Sequence, residues 1–197
     1  MKKVLIILGV ILAIVLLIVM WGTGIYNGLV QKDESVNGAW AQVQNQYQRR
    51  MDLIPNLVAT VQGVANFEKS TLTAVIEARA KATQVTLSPQ ILNNPQAFQQ
   101  FEQTQGALGS ALSRLLVTVE QYPNLKANEN FLQLQSQLEG TENRIAVERK
   151  RFNEVVQGYN ATIRTIPTSL IAAIGGFQQK QYFQAVPGAE AAPKVQF

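Results

Sequence analysis

The sequence predicts an all-α protein: an N-terminal single transmembrane helix, then an elongated antiparallel bundle of three long helices and one shorter helix, and an irregular C-terminal tail. Three observations carry this reading. Residues Val4 to Trp21 form an 18-residue run without a charge. Beyond it, apolar residues recur at alternating spacings of four and three over three long stretches, the pattern of one helix face. No stretch alternates with period two, and hairpin turn chemistry is absent. The chain divides into 1–25, anchor; 26–35, juxtamembrane connection; 36–176, bundle; and 177–197, tail.

The anchor follows from length. At about 1.5 Å per residue, a helix from Val4 through Ile25 covers a hydrocarbon core of roughly 30 Å. The alternative is a cleavable signal peptide, whose apolar region runs about 7 to 15 residues before a small-residue site. Gly22 and Gly24 match such a site weakly and the run is too long, so a retained anchor is expected. Lys2 and Lys3 precede the run, and Lys32 is the sole basic residue in the twenty that follow it. Basic flanks stay inside. The N-terminus is therefore expected in the cytoplasm and the bundle on the periplasmic or extracytoplasmic side of a bacterial inner membrane. The stretch from Ile163 to Phe177, broken by Pro167 and Gly175-Gly176, is too short for a second span.

The first bundle helix, 36–62, carries Val36, Trp40, Val43, Tyr47, Ile54, Leu57 and Val61, with Arg50 interrupting the stripe. Pro55 lies inside it, where it frees the carbonyl of Met51 and is expected to kink the helix. Leu72, Val75, Ile76 and Arg79 mark a shorter helix. Ser88-Pro89 and Asn93-Asn94-Pro95 end that unit, Asn94 serving as N-cap and Pro95 as first helical residue. The next stripe, in 95–122, is Phe98, Phe101, Gln105, Leu108, Leu112, Leu115, Val119 and Tyr122; Tyr122-Pro123-Asn124 stops it. Asn128 caps the last long helix, 129–166, whose stripe runs Phe131, Leu134, Leu138, Thr141, Ile145, Glu148, Phe152, Val155, Tyr159, Thr162 and Ile166. Short connections force antiparallel neighbours.

Polar residues on apolar seams supply the candidate sites. If the first and last long helices are antiparallel, Arg50 comes within reach of Glu142 or Glu148. A buried guanidinium keeps its proton and demands a carboxylate. Such a pair is a registry device that penalises slipped packing, or part of a ligand or partner pocket. Pro55 and Asn56 form either a kink that wraps the bundle or a bend recognised by a partner helix. YPNLKANENF, at 122–131, reads as a capped turn at the end of the bundle far from the membrane, or as a docking loop with Tyr122, Lys126 and Asn130 as contacts. The tail, with Phe177, Tyr182, Phe183, Val186, Val195 and Phe197, folds back over the bundle or serves as a peptide whose Val195 and terminal Phe197 carboxylate enter a partner's pocket.

Composition removes most enzyme templates. There is no Cys and no His, so thiolate nucleophiles, thiolate metal sites and imidazole bases are all missing. Glu142 and Glu148, six residues apart on one helix, point about 240° apart, which disfavours paired acid and base chemistry. No catalytic residue, metal or cofactor is expected, and no enzyme activity. Of the net charge of +4, Lys2 and Lys3 supply two, leaving 15 basic against 13 acidic residues, interleaved. That is no nucleic-acid footprint. The weakly charged, glutamine-rich faces permit bundles to associate sideways, so homo-oligomers are expected.

Several long motifs are recognisable: YNGLV at 26–30, VNGAWAQVQ at 36–44, QRRMDLIPNLVATVQG at 48–63, EKSTLTAVIEARA at 68–80, YPNLKANENF at 122–131, LEGTENRIAVERKRFN at 138–153, GYNATIRTIP at 158–167 and PKVQF at 193–197. With these the chain resembles the LemA family of bacterial membrane-anchored helical proteins, over nearly all of its length after the anchor. Two departures stand out. GVANFE lacks a Tyr and a His common in the family, and Phe152 replaces a frequent Tyr, so no role of those groups carries over. The resemblance implies one membrane helix with a helical bundle and no particular reaction. It also implies protein partners, a membrane-bound metalloprotease of envelope quality control among them. The expected function is thus a single-pass scaffold or adaptor of the cell envelope; the alternative is an extracytoplasmic ligand-sensing bundle.

Overall fold

The computed structural model of the protein describes residues 2–64, 67–84 and 88–184. The apolar run does not stop where the bundle begins. One helix, α1 (Lys2–Gln62), carries both as 61 continuous residues, about 90 Å at the α-helical rise. Its first turns expose Val4 through Trp21 on every side, and among the described residues α1 is the one helix long and apolar enough to cross a membrane. Residues 26–35, read as a connection, are helical throughout, and Leu29 is already buried in the core.

The remaining elements are α2 (Lys69–Gln84), a short 3-10 helix (Pro89–Asn93), α3 (Pro95–Val119), α4 (Pro123–Lys126), α5 (Glu129–Arg164) and α6 (Thr168–Gly175). Among the described residues there is no strand. The caps act as the sequence indicates: Asn94 Oδ1 accepts from the Ala97 amide at 3.1 Å, and Asn128 Oδ1 from the Phe131 amide at 3.1 Å. Each satisfies a backbone donor that helix geometry leaves orphaned. Gly176, at φ 75°, closes α6 in the left-handed conformation a side chain would resist.

Packing pairs α1 with α5 and α2 with α3. The α1–α5 pair is antiparallel and in step. Trp40 meets Phe152, Arg50 meets Glu142 and Asp33 faces Tyr159, so ten residues forward on α1 match ten back on α5, and seven match seven. The core has two tiers. The tier nearer the apolar run gathers Leu29, Val36, Trp40, Val43, Tyr47, Phe98, Phe101, Phe152 and Tyr159. The far tier gathers Met51, Ile54, Leu57, Val61, Leu108, Leu115, Leu125 and Phe131. Trp40 is the hub of the near tier, with Phe98, Phe101, Phe152 and Phe183 ring centroids 5.4–6.0 Å away.

Two stripe positions differ from expectation. Ile166 is 85% exposed, because α5 ends at Arg164 and its buried line shifts to Val156, Asn160 and Ile163. A strict seven-residue stripe on a 3.6-residue helix drifts about 20° per heptad, so its far end leaves the seam. Ile76 of α2 is also exposed, the burial there falling on Thr71, Leu72, Val75 and Ala82.

Replacing Trp40 by Ala removes the hub and leaves a cavity the ring of aromatics cannot fill. We expect a loss of about 3–5 kcal/mol, read by chemical denaturation of the detergent-solubilised chain followed by circular dichroism.

Candidate functional site

Between the two tiers lies a polar layer. Arg50 from α1 is 3% exposed and is the only charged residue among the buried residues of that helix. Its Nη1 donates to Glu142 Oε1 of α5 at 2.8 Å, and its Nη2 donates to the side-chain oxygen of Gln105 on α3 and, at 3.4 Å, to the Gln105 carbonyl. The guanidinium also lies over the Tyr47 ring, 5.0 Å from its centroid. Three helices are thus tied at one level. Glu148 does not reach Arg50: it lies about 9 Å further along α5 and sits 3.8 Å from Arg151. Gln105, visible in the sequence as the polar member of the α3 stripe, is the partner that spacing did not assign. Arg50 Nε and Gln105 Nε2 are buried without a hydrogen bond. Beside the layer, Leu112, Leu116, Leu138 and Glu142 line an open cleft of about 420 Å³ between α3 and α5.

The Pro55 carbonyl gap is filled. Met51 O, which has no amide partner one turn on because Pro55 lacks the N–H, accepts from Arg79 Nε of α2 at 3.0 Å. Asn56 is exposed, and its carbonyl accepts from Thr60 Oγ1. At the end of the bundle opposite the apolar run, Tyr122 packs on Phe67 with ring centroids 4.9 Å apart, Lys126 pairs with Glu120, and Asn130 is exposed. Pro123 to Lys126 form a turn of helix there, with Leu125 buried beneath it.

The described part of the tail, 177–184, runs back along the bundle. Two α5 asparagines hold it by its backbone. Asn160 bonds both the N–H and the C=O of Lys180, and Asn153 does the same for Phe183, all at 2.9 Å. The spacing is matched: seven helical residues rise about 10.5 Å, and three extended residues span about 10 Å. Side chains then anchor the ends. Phe183 enters the Trp40 cluster with Arg149 stacked 4.4 Å over its ring, and Lys180 Nζ lies 2.9 Å from Asp33 Oδ1. The Gln184 N–H donates to Glu102, which is 3.5 Å from Arg149. Sequence reasoning missed Asn153 and Asn160, because their partner is peptide backbone, which leaves no residue pattern. Val195 and Phe197 lie outside the described residues.

Burial dominates the titrations. It raises the Tyr47 hydroxyl above its ordinary value near 10, against the opposing pull of Arg149 and Arg50. It raises Tyr159 as well, reinforced by the Asp33 carboxylate beside it. Burial also raises Glu102, opposed by the Gln184 N–H and Arg149. Among the described residues, no group of three Asp, Glu, Cys or His side chains is placed to hold a metal ion.

A model of the LemA family matches residues 39–197. Magnetosome protein MamQ 2 of Paramagnetospirillum magneticum is 35% identical over 85 residues, covering 43% of this chain and 31% of that protein. Magnetosome protein MamQ of Magnetospirillum gryphiswaldense is 26% identical over 181 residues, covering 84% of this chain and 66% of its relative. Protein LemA of Metamycoplasma hominis is 26% identical over 162 residues, covering 81% and 68%. The chain thus spans about a third of the first of these relatives and about two thirds of the other two.

The polar layer makes an ordered prediction. Arg50→Ala removes the buried charge itself and leaves the neutral Gln105 side chain unpaired beside a void, at a cost of about 1–3 kcal/mol. Glu142→Ala costs more, about 3–5 kcal/mol, because it leaves the buried guanidinium without its carboxylate. Denaturation midpoints that reverse this order would show that water entering at the half-exposed Glu142 position satisfies Arg50.

The tyrosines set an alkaline limit. A hydroxyl whose pKa is raised in the folded state contributes fully below pH 10, the ordinary tyrosine value, and that contribution is lost as pH rises toward the folded value. The melting temperature should therefore fall above about pH 10, and more shallowly in a Tyr47→Phe, Tyr159→Phe double variant.

Proposed function

We propose, from the premise that the chain belongs to the LemA family, that it acts as a single-pass membrane-anchored scaffold or adaptor of the bacterial cell envelope. The family is not a known enzyme family, and it includes relatives of the MamQ and LemA proteins named above. The observation that carries the reading is the continuity of α1. The candidate span and the core helix of the bundle are one helix, so a protein docked on the bundle is held at a set height and orientation over the bilayer. Lys2 and Lys3 put the N-terminus in the cytoplasm and the bundle outside.

Partner contact is assigned to the far end, where Tyr122, Lys126 and Asn130 cluster, and to the terminal residues Val195 and Phe197. A membrane metalloprotease of envelope quality control is the partner of that class, and sideways contact between copies is compatible with it. A second reading, a ligand-sensing bundle, is favoured by the α3–α5 cleft beside Arg50 and Glu142.

Photo-crosslinking from Asn130 in native membranes tests both. An adduct with a membrane metalloprotease, lost on substituting Lys126 by Glu with the crosslinker still at position 130, is the expected result. No protein adduct, with one defined small molecule co-purifying and released by Glu142→Ala, would replace the scaffold by the sensor. Protease added to intact spheroplasts should digest the bundle; full protection would reverse the orientation.

A further inference from the structure

The α5–α6 end of the bundle carries an apolar face that no other described residue covers. Ile166 is 85% exposed, Leu170 65% and Ile174 86%, spaced four residues apart along the turn and α6. Isolated apolar side chains on a surface are ordinary, but an aligned set marks a contact.

The position of this face along α1 is fixed by close packing. A side chain at Gly22 would meet Ile171 at 3.8 Å, and one at Gly175 would meet the Tyr26 ring at 3.1 Å and the Phe177 ring at 2.8 Å. Tyr26 and Phe177 stack edge to face with centroids 5.5 Å apart. Ile171 therefore sits level with Gly22, and four residues later Gly175 sits level with Tyr26, so α6 climbs alongside α1 in the same direction. Leu170 then lies at the height of Trp21, the last residue of the apolar Val4–Trp21 run. Thr168, where α6 starts, lies about 3 Å below Leu170 at the helical rise, beside the run itself, and the Ile166 turn precedes it.

Charge agrees with this placement. There is no Asp or Glu between Glu154 and Glu190, whereas Arg164 in the last turn of α5 is exposed. A bare cation and an apolar stripe, without carboxylates, suit the boundary between anionic headgroups and acyl chains.

We propose that the Ile166 turn and the outer face of α6 are seated in the bilayer that α1 crosses, as a second, non-spanning membrane contact that fixes the tilt and rotation of the bundle. The occupant of the face is lipid of the same leaflet boundary. The proposal rests on the anchor reading of α1, and the test separates the two.

The chain is naturally free of Cys, so single-site labels are direct. Leu12→Cys, Leu170→Cys, Ile174→Cys and Val147→Cys variants of the full chain, each carrying a polarity-sensitive fluorophore, are reconstituted into phosphatidylcholine–phosphatidylglycerol vesicles. Lipids bearing a nitroxide quencher near the headgroup or deep in the acyl chain are included in turn. We expect labels at 170 and 174 to be quenched severalfold more than the one at 147, chiefly by the shallow lipid, and the label at 12 chiefly by the deep one. Quenching at 12 with none at 170 and 174 overturns the proposal and leaves the anchor standing. Absence of quenching at 12 removes the anchor and the proposal together. A blue shift at 170 and 174 that resists lipid quenchers and fades as protein is diluted in lipid assigns the face to a second copy, and also overturns it.

Discussion

A guanidinium carries five N–H donors and no acceptor, and in this protein Arg50 is placed where two apolar tiers meet. It needs acceptors at one height, and α3 and α5 supply them from Gln105 and Glu142. Sliding α1 by one turn against α5 would move the charge about 5.4 Å into either Tyr47, Phe101 and Ile145 on one side or Met51 and Leu108 on the other. Burying an unpaired charge costs more than any such slip recovers. The layer contributes little net stability of its own; its effect is to make one register far better than its neighbours. The in-step matches of Trp40 with Phe152 and Asp33 with Tyr159 are the consequence.

Once that register holds, the rest of the near tier is determined by shape. Trp40 presents a large face toward α5 and α3, and Phe98, Phe101 and Phe152 close around it, leaving one gap that Phe183 fills from the tail. The tail has no helix to satisfy its backbone, and Asn153 and Asn160 substitute for a neighbouring strand by offering both donor and acceptor from one side chain. This is why an irregular segment lies among buried aromatics without orphaned peptide groups at Lys180 and Phe183. The same segment delivers Lys180 to Asp33, a pairing that ties the tail to α1 at a level the anchor also controls.

The continuity of α1 gives these local contacts a consequence at the scale of the whole molecule. A helix of 61 residues would be free to bend about any unsupported stretch, yet support begins at the residue that follows the apolar Val4–Trp21 run: Ile171 against Gly22, the Phe177 ring against Tyr26, then Leu29 in the core. Gly175 allows the close approach of α6 to the Tyr26 and Phe177 rings, where a side chain would meet them at 3.1 and 2.8 Å. The bundle is therefore coupled to the direction of α1 and does not hang from a linker, and its apolar lower end points where the helix points.

Much of this was legible in order along the chain. The long uncharged run, the four-and-three spacing and the Asn-Pro punctuation determined the helices and their caps, because helix formation answers to periodicity and to the few residues that can satisfy or abolish an end. Arg50 was visible as a polar break in a stripe, and Met51 as the carbonyl that Pro55 deprives of its donor. Which partner each would find was not visible: Glu142 over Glu148 and Gln105 as acceptors for Arg50, and Arg79 as donor to Met51, are choices among helices far apart in sequence, made only when packing sets relative height and rotation. The drift of α5 that expels Ile166, the asparagine clasp on the tail and the seat of α6 beside Gly22 were likewise decided in three dimensions, since they depend on backbone groups and small contact distances that no residue pattern encodes.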